Sequence, residues 1–298
     1  MGKMFDALRK TEQEKFAESA EHEEEPRDVM PADVIFDDKL VAYYQQASMV
    51  AEQFRRLRTY ITSPKLDGAS PKTILVTSTL AGEGKSLIAA NLAIMISAEL
   101  QSYALLVDCD LRNPSLSKLF GLQQQKGLSD YLAGDTKIED IMIKTPIDKL
   151  SIIPGGNLEE NPVELIGSQK MKYLVQDLKS RYDDRFIIFD SSPILPTTEP
   201  SVLNKMVDGI IMVIMSGRTS RESVTQAIKA LEKEKILGVV LNNLEFKTNA
   251  MIRKHFGSDR YYYNYNYDYS KADPEPGIRE KIKGMVNSIK MFRNKNAS

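Results

Sequence analysis

Thr73-Ile74-Leu75-Val76-Thr77-Ser78-Thr79-Leu80-Ala81-Gly82-Glu83-Gly84-Lys85-Ser86 decides the fold. An apolar, β-branched run ends in a glycine-punctuated turn, and Lys85-Ser86 opens a second apolar run, Leu87 to Met95. That order predicts strand, loop and helix. The backbone N–H groups of such a loop converge on a phosphate chain, and the new helix turns its positive dipole end to the same anion. Gly82 and Gly84 lack a Cβ, so the backbone can approach phosphate closely. The pattern G-x-x-x-x-G-K-[ST] is met except at its first position, where Thr79 replaces glycine. On that pattern Lys85 reaches the β- and γ-phosphates of ATP and the Ser86 hydroxyl ligates Mg²⁺. Gly82, Glu83, Gly84 and Leu87 complete the expected nucleotide loop. An ordinary glycine-rich strand-to-helix turn is the competing reading.

Working outward, apolar runs alternate with helical segments. Strands are expected at 73–79, 103–109, 150–154, 185–190, 208–215 and 236–242. Most are continuously apolar, as parallel strands covered on both faces require. Helices are expected at 86–100, 127–133 with 137–143, 162–182 and 219–233. The alternation predicts a doubly wound, mostly parallel α/β sheet with its ligand at the C-terminal strand ends. Two strands end in carboxylates there. The first runs into Val107-Asp108-Cys109-Asp110-Leu111-Arg112; the second, Phe186 to Phe189, ends in Asp190-Ser191-Ser192-Pro193. Asp108 and Asp110 alternate by two and so face the same way, which makes a shared cation the natural partner. Asp190 has the place of a carboxylate that holds Mg²⁺. Asn242 and Asn243 close the last strand, where they can contact adenine or simply make a turn.

Composition narrows the class. The chain has 298 residues, with 40 Lys+Arg against 41 Asp+Glu, a balance that gives no sign of nucleic-acid binding. Cys109 is the single cysteine, so an internal disulfide is excluded, in keeping with a reducing compartment. No apolar run approaches the ~18–20 residues needed to span a bilayer, and the opening residues are unlike a signal peptide. A soluble cytoplasmic protein is expected. Residues 1–47 look like a charged appendage, 48–257 like the catalytic domain, and 258–298 like a separate tail. From Ser48, the apolar residues Val50, Phe54, Leu57 and Ile61 recur at helical spacing, and Glu52, Arg55 and Arg58 form a charged stripe. The stripe is either solvated or a subunit contact. The tail carries Tyr261, Tyr262, Tyr263, Tyr265, Tyr267 and Tyr269, interleaved with Asn264, Asn266 and Asp268. A basic amphipathic stretch follows, with Ile278, Ile282, Met285, Ile289 and Phe292 at helical spacing.

Taken in order, these motifs resemble the bacterial tyrosine kinases of capsule and exopolysaccharide synthesis, a MinD-like branch of the P-loop fold with deviant Walker motifs. Ala81 to Ser86 resembles their Walker A, Leu105 to Arg112 their Walker A′, and Asp190 to Pro193 their Walker B. Glu52, Arg55 and Arg58 fit the family's E-x-x-R-x-x-R oligomerisation helix, and the tyrosines match its autophosphorylation cluster. Asn161-Pro162-Val163-Glu164-Leu165 is similar to a family segment before Walker B. The opening residues resemble the autokinases encoded beside exosortase systems. The resemblance implies an ATP- and Mg²⁺-dependent kinase with Lys85, Asp108 and Asp110 as catalytic residues. Ser86, Asp110 and Asp190 would hold the metal, and Asn242 would lie at the nucleotide. It also implies a ring-shaped homo-oligomer, a tyrosine phosphatase, and a separate membrane polysaccharide co-polymerase that recruits the kinase to the inner face of the membrane. The rival is a ParA/MinD-type positioning ATPase. That group's signature lysine falls five places before Lys85, where this chain has Leu80.

Overall fold

The computed structural model describes residues 28–30, 34–63, 70–122, 125–157, 161–181 and 184–243. Its eight strands form one sheet. They are β1 (Asp28–Val29), β2 (Thr73–Ser78), β3 (Tyr103–Asp108), β4 (Ile143–Lys144), β5 (Leu150–Ile153), β6 (Arg185–Asp190), β7 (Gly209–Met215) and β8 (Ile236–Asn242). The order across the sheet is β1-β4-β5-β3-β6-β2-β7-β8. Every neighbouring pair is parallel except β4 with β5. All residues of β2 are buried: Ile74, Leu75 and Val76 join the core, and the hydroxyls of Thr73, Thr77 and Ser78 are hydrogen-bonded. The six longer strands fall where the apolar runs predict them.

Two apolar layers flank the sheet. The helix after the loop, α3 (Lys85–Ser97), is buried at every residue from Ile88 to Ser97. The sheet covers one side of it. On the other lie α1 (Val41–Tyr44) and α2 (Met49–Thr62), which share its apolar cluster. Ser48 caps α2, its Oγ accepting the Ala51 N–H at 3.1 Å.

Four expectations are corrected. The appendage reading of 1–47 fails for its last part. Phe36, Leu40 and Ala42 are core residues, Asp28–Val29 pairs with β4, and buried Asn91 of α3 binds the Ala42 N–H at 2.9 Å and the Lys39 carbonyl at 3.2 Å. The helix expected over 137–143 is a single 3-10 turn, Ile138–Asp140, after which Ile143–Lys144 joins the sheet. The helix expected over 162–182 is two, α6 (Pro162–Gly167) and α7 (Gln169–Arg181), parted at Ser168, whose Oγ accepts the Met171 N–H. The helix expected over 219–233 is shorter, α9 (Arg221–Lys229), capped by Ser220. The helix expected over 127–133 is present as α5 (Leu128–Ala133), whereas the short helices α4 (Leu116–Leu119) and α8 (Glu199–Leu203) carry no pattern in the sequence. The boundary expected near 257, the tyrosine cluster and the basic stretch lie outside the described residues. Among those described, no helix is long and apolar enough to cross a membrane.

Candidate functional site

The loop between β2 and α3 is held from both sides. Gly82 and Gly84 take φ values of 77° and 90°, a conformation that glycine adopts without strain. Glu83 turns inward and is fully buried. Its carboxylate accepts the Leu80 N–H at 2.8 Å and the Met215 N–H at 3.4 Å, and the Thr219 hydroxyl donates to it. Asn242, at the end of β8, donates from Nδ2 to the Glu83 carbonyl at 2.8 Å. A Cβ on Gly84 would fall on that same amide. Asn242, which the sequence left between an adenine contact and a turn, braces the loop through this hydrogen bond. Asn243 is exposed beside it, at φ 56°. The Arg218 guanidinium crosses the Gly82 carbonyl at 3.5 Å. Arg218 and Thr219 carry no motif; their signal is only their place after β7, on the same sheet edge as the loop.

The carboxylates converge on Lys85. Its Nζ lies 2.7 Å from Asp110, 3.9 Å from Asp190 and 3.1 Å from the Ser86 hydroxyl. Asp108 and Asp190 sit opposite one another in the β3–β6 register. Asp108 is fully buried. Its carboxylate accepts the Ser115 and Leu116 N–H groups, both at 3.0 Å, and that of Asp110 at 3.2 Å. The Gly155 backbone shields it, for a Cβ there would stand 3.6 Å from its Cγ. Burial, then the neighbouring Asp190 charge, pushes Asp108 up to about 8. Burial pushes Asp190 up to about 6, against the pull of the Lys85 ammonium. Burial by itself would lower Lys85, but Asp190 and Asp110 outweigh it and hold the ammonium above its ordinary value. Cys109, between the two aspartates, is buried and its thiol raised far above the usual range by that burial, so it is inert.

A divalent cation fits one part of this cluster. Both Asp190 carboxylate oxygens are buried without a hydrogen-bond partner among the described residues. A hard cation satisfies such oxygens, and the nearby Ser86 hydroxyl is of the same donor class. Asp110 faces Lys85, and Asp108 is spent on backbone N–H groups, so no cage of three or more acidic, His or Cys ligands exists among the described residues. Asp108 is engaged by those N–H groups and Asp110 by Lys85.

Glu52, Arg55 and Arg58 do not share one free stripe. Arg55 binds Glu52 and the Gln46 carbonyl. Arg58 turns toward the body of the protein, meeting Glu99 at 2.9 Å and the Met95 carbonyl at 3.2 Å.

A strand–loop–helix phosphate cradle with carboxylates gathered under its lysine defines a P-loop nucleotide-binding protein. A model of the ParA family, described as NUBPL iron-transfer P-loop NTPase, matches residues 70–262, and the chain belongs to that fold family. Over 205 residues it is 35% identical to tyrosine-protein kinase YwqD of Bacillus subtilis (strain 168), covering 68% of this chain and 85% of that protein. Over 213 residues it is 32% identical to tyrosine-protein kinase CpsD of Streptococcus agalactiae serotype III (strain NEM316), covering 70% and 88%. The structure of the chimerical protein CapA2B2 superposes with a TM-score of 0.63 at 31% identity, over 70% of this chain and 91% of that one. The kinase domain of Escherichia coli tyrosine kinase ETK gives 0.64 at 25% identity, over 70% and 82%. The chain belongs to the bacterial tyrosine-protein kinases.

Proposed function

We propose that this kinase transfers the γ-phosphate of ATP, in trans between copies of itself, to the tyrosines at 261–269, and so regulates capsule or exopolysaccharide synthesis. The observation that carries this reading is the position of Lys85, 2.7 Å from Asp110 and 3.9 Å from Asp190 at the head of the loop. Loop N–H groups and Lys85 bind the phosphates. Asp190 and Ser86 would hold Mg²⁺, which would supply charge neutralisation to the phosphates. Phosphoryl transfer depends mainly on positioning and charge neutralisation, so few groups are needed. As Lys85 turns to the phosphates, it releases Asp110. The phenol oxygen bonds to the γ-phosphorus, the bond from that phosphorus to the bridging oxygen breaks, and ADP departs. The phenol proton passes to Asp110. Asp108, expected to orient or deprotonate the phenol, is read here as a positioning residue that fixes the backbone of 110–116, because its carboxylate is buried and already accepts three N–H groups.

In this reading α2 joins neighbours into a ring through Arg55 and Glu52, with Arg58 securing α2 to α3. A separate membrane co-polymerase holds the kinase at the inner face of the membrane, and a tyrosine phosphatase resets it. Added phosphates, each about −1.5 to −2 in charge, loosen the ring by repulsion. The test is incubation with labelled ATP, with and without the co-polymerase's cytoplasmic segment, followed by mass-spectrometric mapping. Label is expected on the clustered tyrosines and should disappear when all six become Phe, with ATP binding kept. Phosphate release with no protein label, under both conditions, would refute the autokinase reading.

A further inference from the structure

Glu199 opens α8 with its side chain only 2% exposed, and a carboxylate is seldom buried so completely without a countercharge. Its partner is Arg112, whose Nε donates to Oε1 at 2.6 Å, while Oε2 accepts the Thr198 N–H at 3.0 Å. Both ends of this pair are fixed. Arg112 lies in the turn closed by the Asn113 N–H to the Asp110 carbonyl, at 3.0 Å. Glu199 ends a loop braced by Ser192 Oγ with Thr197 Oγ1 at 2.8 Å and by Thr197 Oγ1 donating to the Pro193 carbonyl at 2.6 Å. These are the two loops that lead away from Asp110 and Asp190.

The contact uses Nε alone. The two Nη groups have no partner among the described residues, and the Arg112 side chain is 48% exposed. A half-exposed guanidinium held through Nε, with its two Nη groups unengaged among the described residues, is prepared to grip an oxyanion with two donors at once. Lysine, a point charge on a flexible stem, would not hold that geometry. The acceptor sequence supplies such an anion during the reaction. Tyr261, Tyr263, Tyr265, Tyr267 and Tyr269 recur every second residue. In a segment bound extended, such residues share one side and stand about 6.5–7 Å apart. A phosphate on one tyrosine then travels beside the phenol two residues on, and Arg112 stands in the turn that begins at Asp110.

We infer that Arg112, oriented by Glu199, binds phosphotyrosine on the acceptor side of the site, so that one phosphorylated tyrosine of the cluster promotes transfer to the tyrosine two residues away. This rests on the autokinase reading. Glu199 is the positioning residue, since it acts only through Arg112.

The test uses the full chain with its six clustered tyrosines changed to Phe, so that label enters only added peptides. Each peptide carries the sequence of residues 259–271 with Tyr265 as sole acceptor and Phe at the other tyrosines. Position 267 holds Tyr replaced by Phe, by phosphotyrosine or by Asp. The phosphotyrosine peptide should be labelled with kcat/KM about tenfold above the Phe peptide, through KM, the worth of one charge-assisted contact. In Arg112→Lys, which keeps Glu199 neutralised, and in the double variant Arg112→Gln with Glu199→Gln, which strands no buried charge, the ratio should fall toward one. Direct binding of fluorescent peptides, read by anisotropy, should show the same loss. No preference, or a preference that survives both variants, would overturn the inference. An equal gain from Asp would overturn its phosphotyrosine specificity. Should no peptide be labelled, with or without the co-polymerase's cytoplasmic segment, the autokinase reading is what fails, and the anisotropy ratio still decides for or against Arg112.

Discussion

Asn242 shows that where a residue sits and what it does are separate questions. Its position at the end of a core strand put it on the nucleotide edge, and there it is. Its amide, however, is committed to the Glu83 carbonyl at 2.8 Å. A residue reading adenine and one bracing the loop differ in a measurable way. Asn242→Ala should weaken ATP and GTP binding alike, by about fivefold each, the worth of one lost hydrogen bond near 1 kcal/mol. Calorimetric titration with both nucleotides decides it, since an adenine contact would make the loss fall on ATP alone. Lys85 has a double role that the motif alone does not disclose. Its ammonium is the countercharge of Asp110 and Asp190 inside the protein. Lys85→Met should therefore abolish nucleotide binding and also lower the melting temperature, because it leaves buried carboxylates unpaired at a cost of about 3 kcal/mol or more. A variant as stable as the parent would show that those carboxylates lose their charge or find another partner. The Gly-Lys-Ser run and the three aspartates were legible because strand ends dictate where they must meet. The Glu83–Thr219 contact, Arg218 and the Arg112–Glu199 pair were not, because each contact joins segments far apart in sequence and no spacing rule announces it.

At the scale of elements, the long parallel strands were legible for a simple reason. A strand buried on both faces must be apolar throughout, so its ends are visible where polarity returns. Short elements have no such contrast. Ile143–Lys144 enters the sheet with two residues, too few for any period. The start of β2 illustrates another invisible feature. Asp208 accepts the Lys72 and Thr73 N–H groups at 3.1 Å each and is also bound by Lys179. Burial alone would raise its carboxyl, yet the hydrogen bonds from Lys179 and Thr73 prevail and hold it below the usual value. A carboxyl depressed in the folded state contributes stability above its unfolded pKa and loses it as pH falls through the folded one. The urea midpoint should therefore drop between about pH 5 and pH 3, and less steeply in Asp208→Asn. Equal slopes would exclude this contribution. Helix α2 offers a further contrast. Arg58→Ala breaks its tie to Glu99 and the Met95 carbonyl, whereas Arg55→Ala removes contacts made within residues 46–55. Arg58→Ala should lower thermal stability more than Arg55→Ala. If Arg55 governs assembly, its variant should shift light scattering toward smaller species without that loss. Equal melting temperatures for the two would remove the distinction.

For the whole molecule, the decisive question is where the catalytic body begins. Polarity and charge placed the boundary at residue 47, because a region rich in acidic residues looks solvated throughout. The packing moves it back. Phe36 and Leu40 are almost wholly buried, and Asn91, in the middle of the helix that starts at Lys85, has its amide divided between the Ala42 N–H and the Lys39 and Leu87 carbonyls. The segment therefore covers the outer side of the phosphate-binding helix and satisfies its buried polar group. Two shortened chains test this, one starting at Asp28 and one at Ser48. The difference between them isolates residues 28–47. Losing Phe36 and Leu40 removes about 1.5–3 kcal/mol of burial apiece, and an orphaned Asn91 adds about 1–3 kcal/mol. At about 2–4 °C per kcal/mol, the chain starting at Ser48 should melt about 10 °C or more below the other. It should also bind nucleotide more weakly, since the helix that loses its cover is the one that presents Lys85 and Ser86. Equal melting and equal affinity would return the segment to the appendage that its charge first suggested.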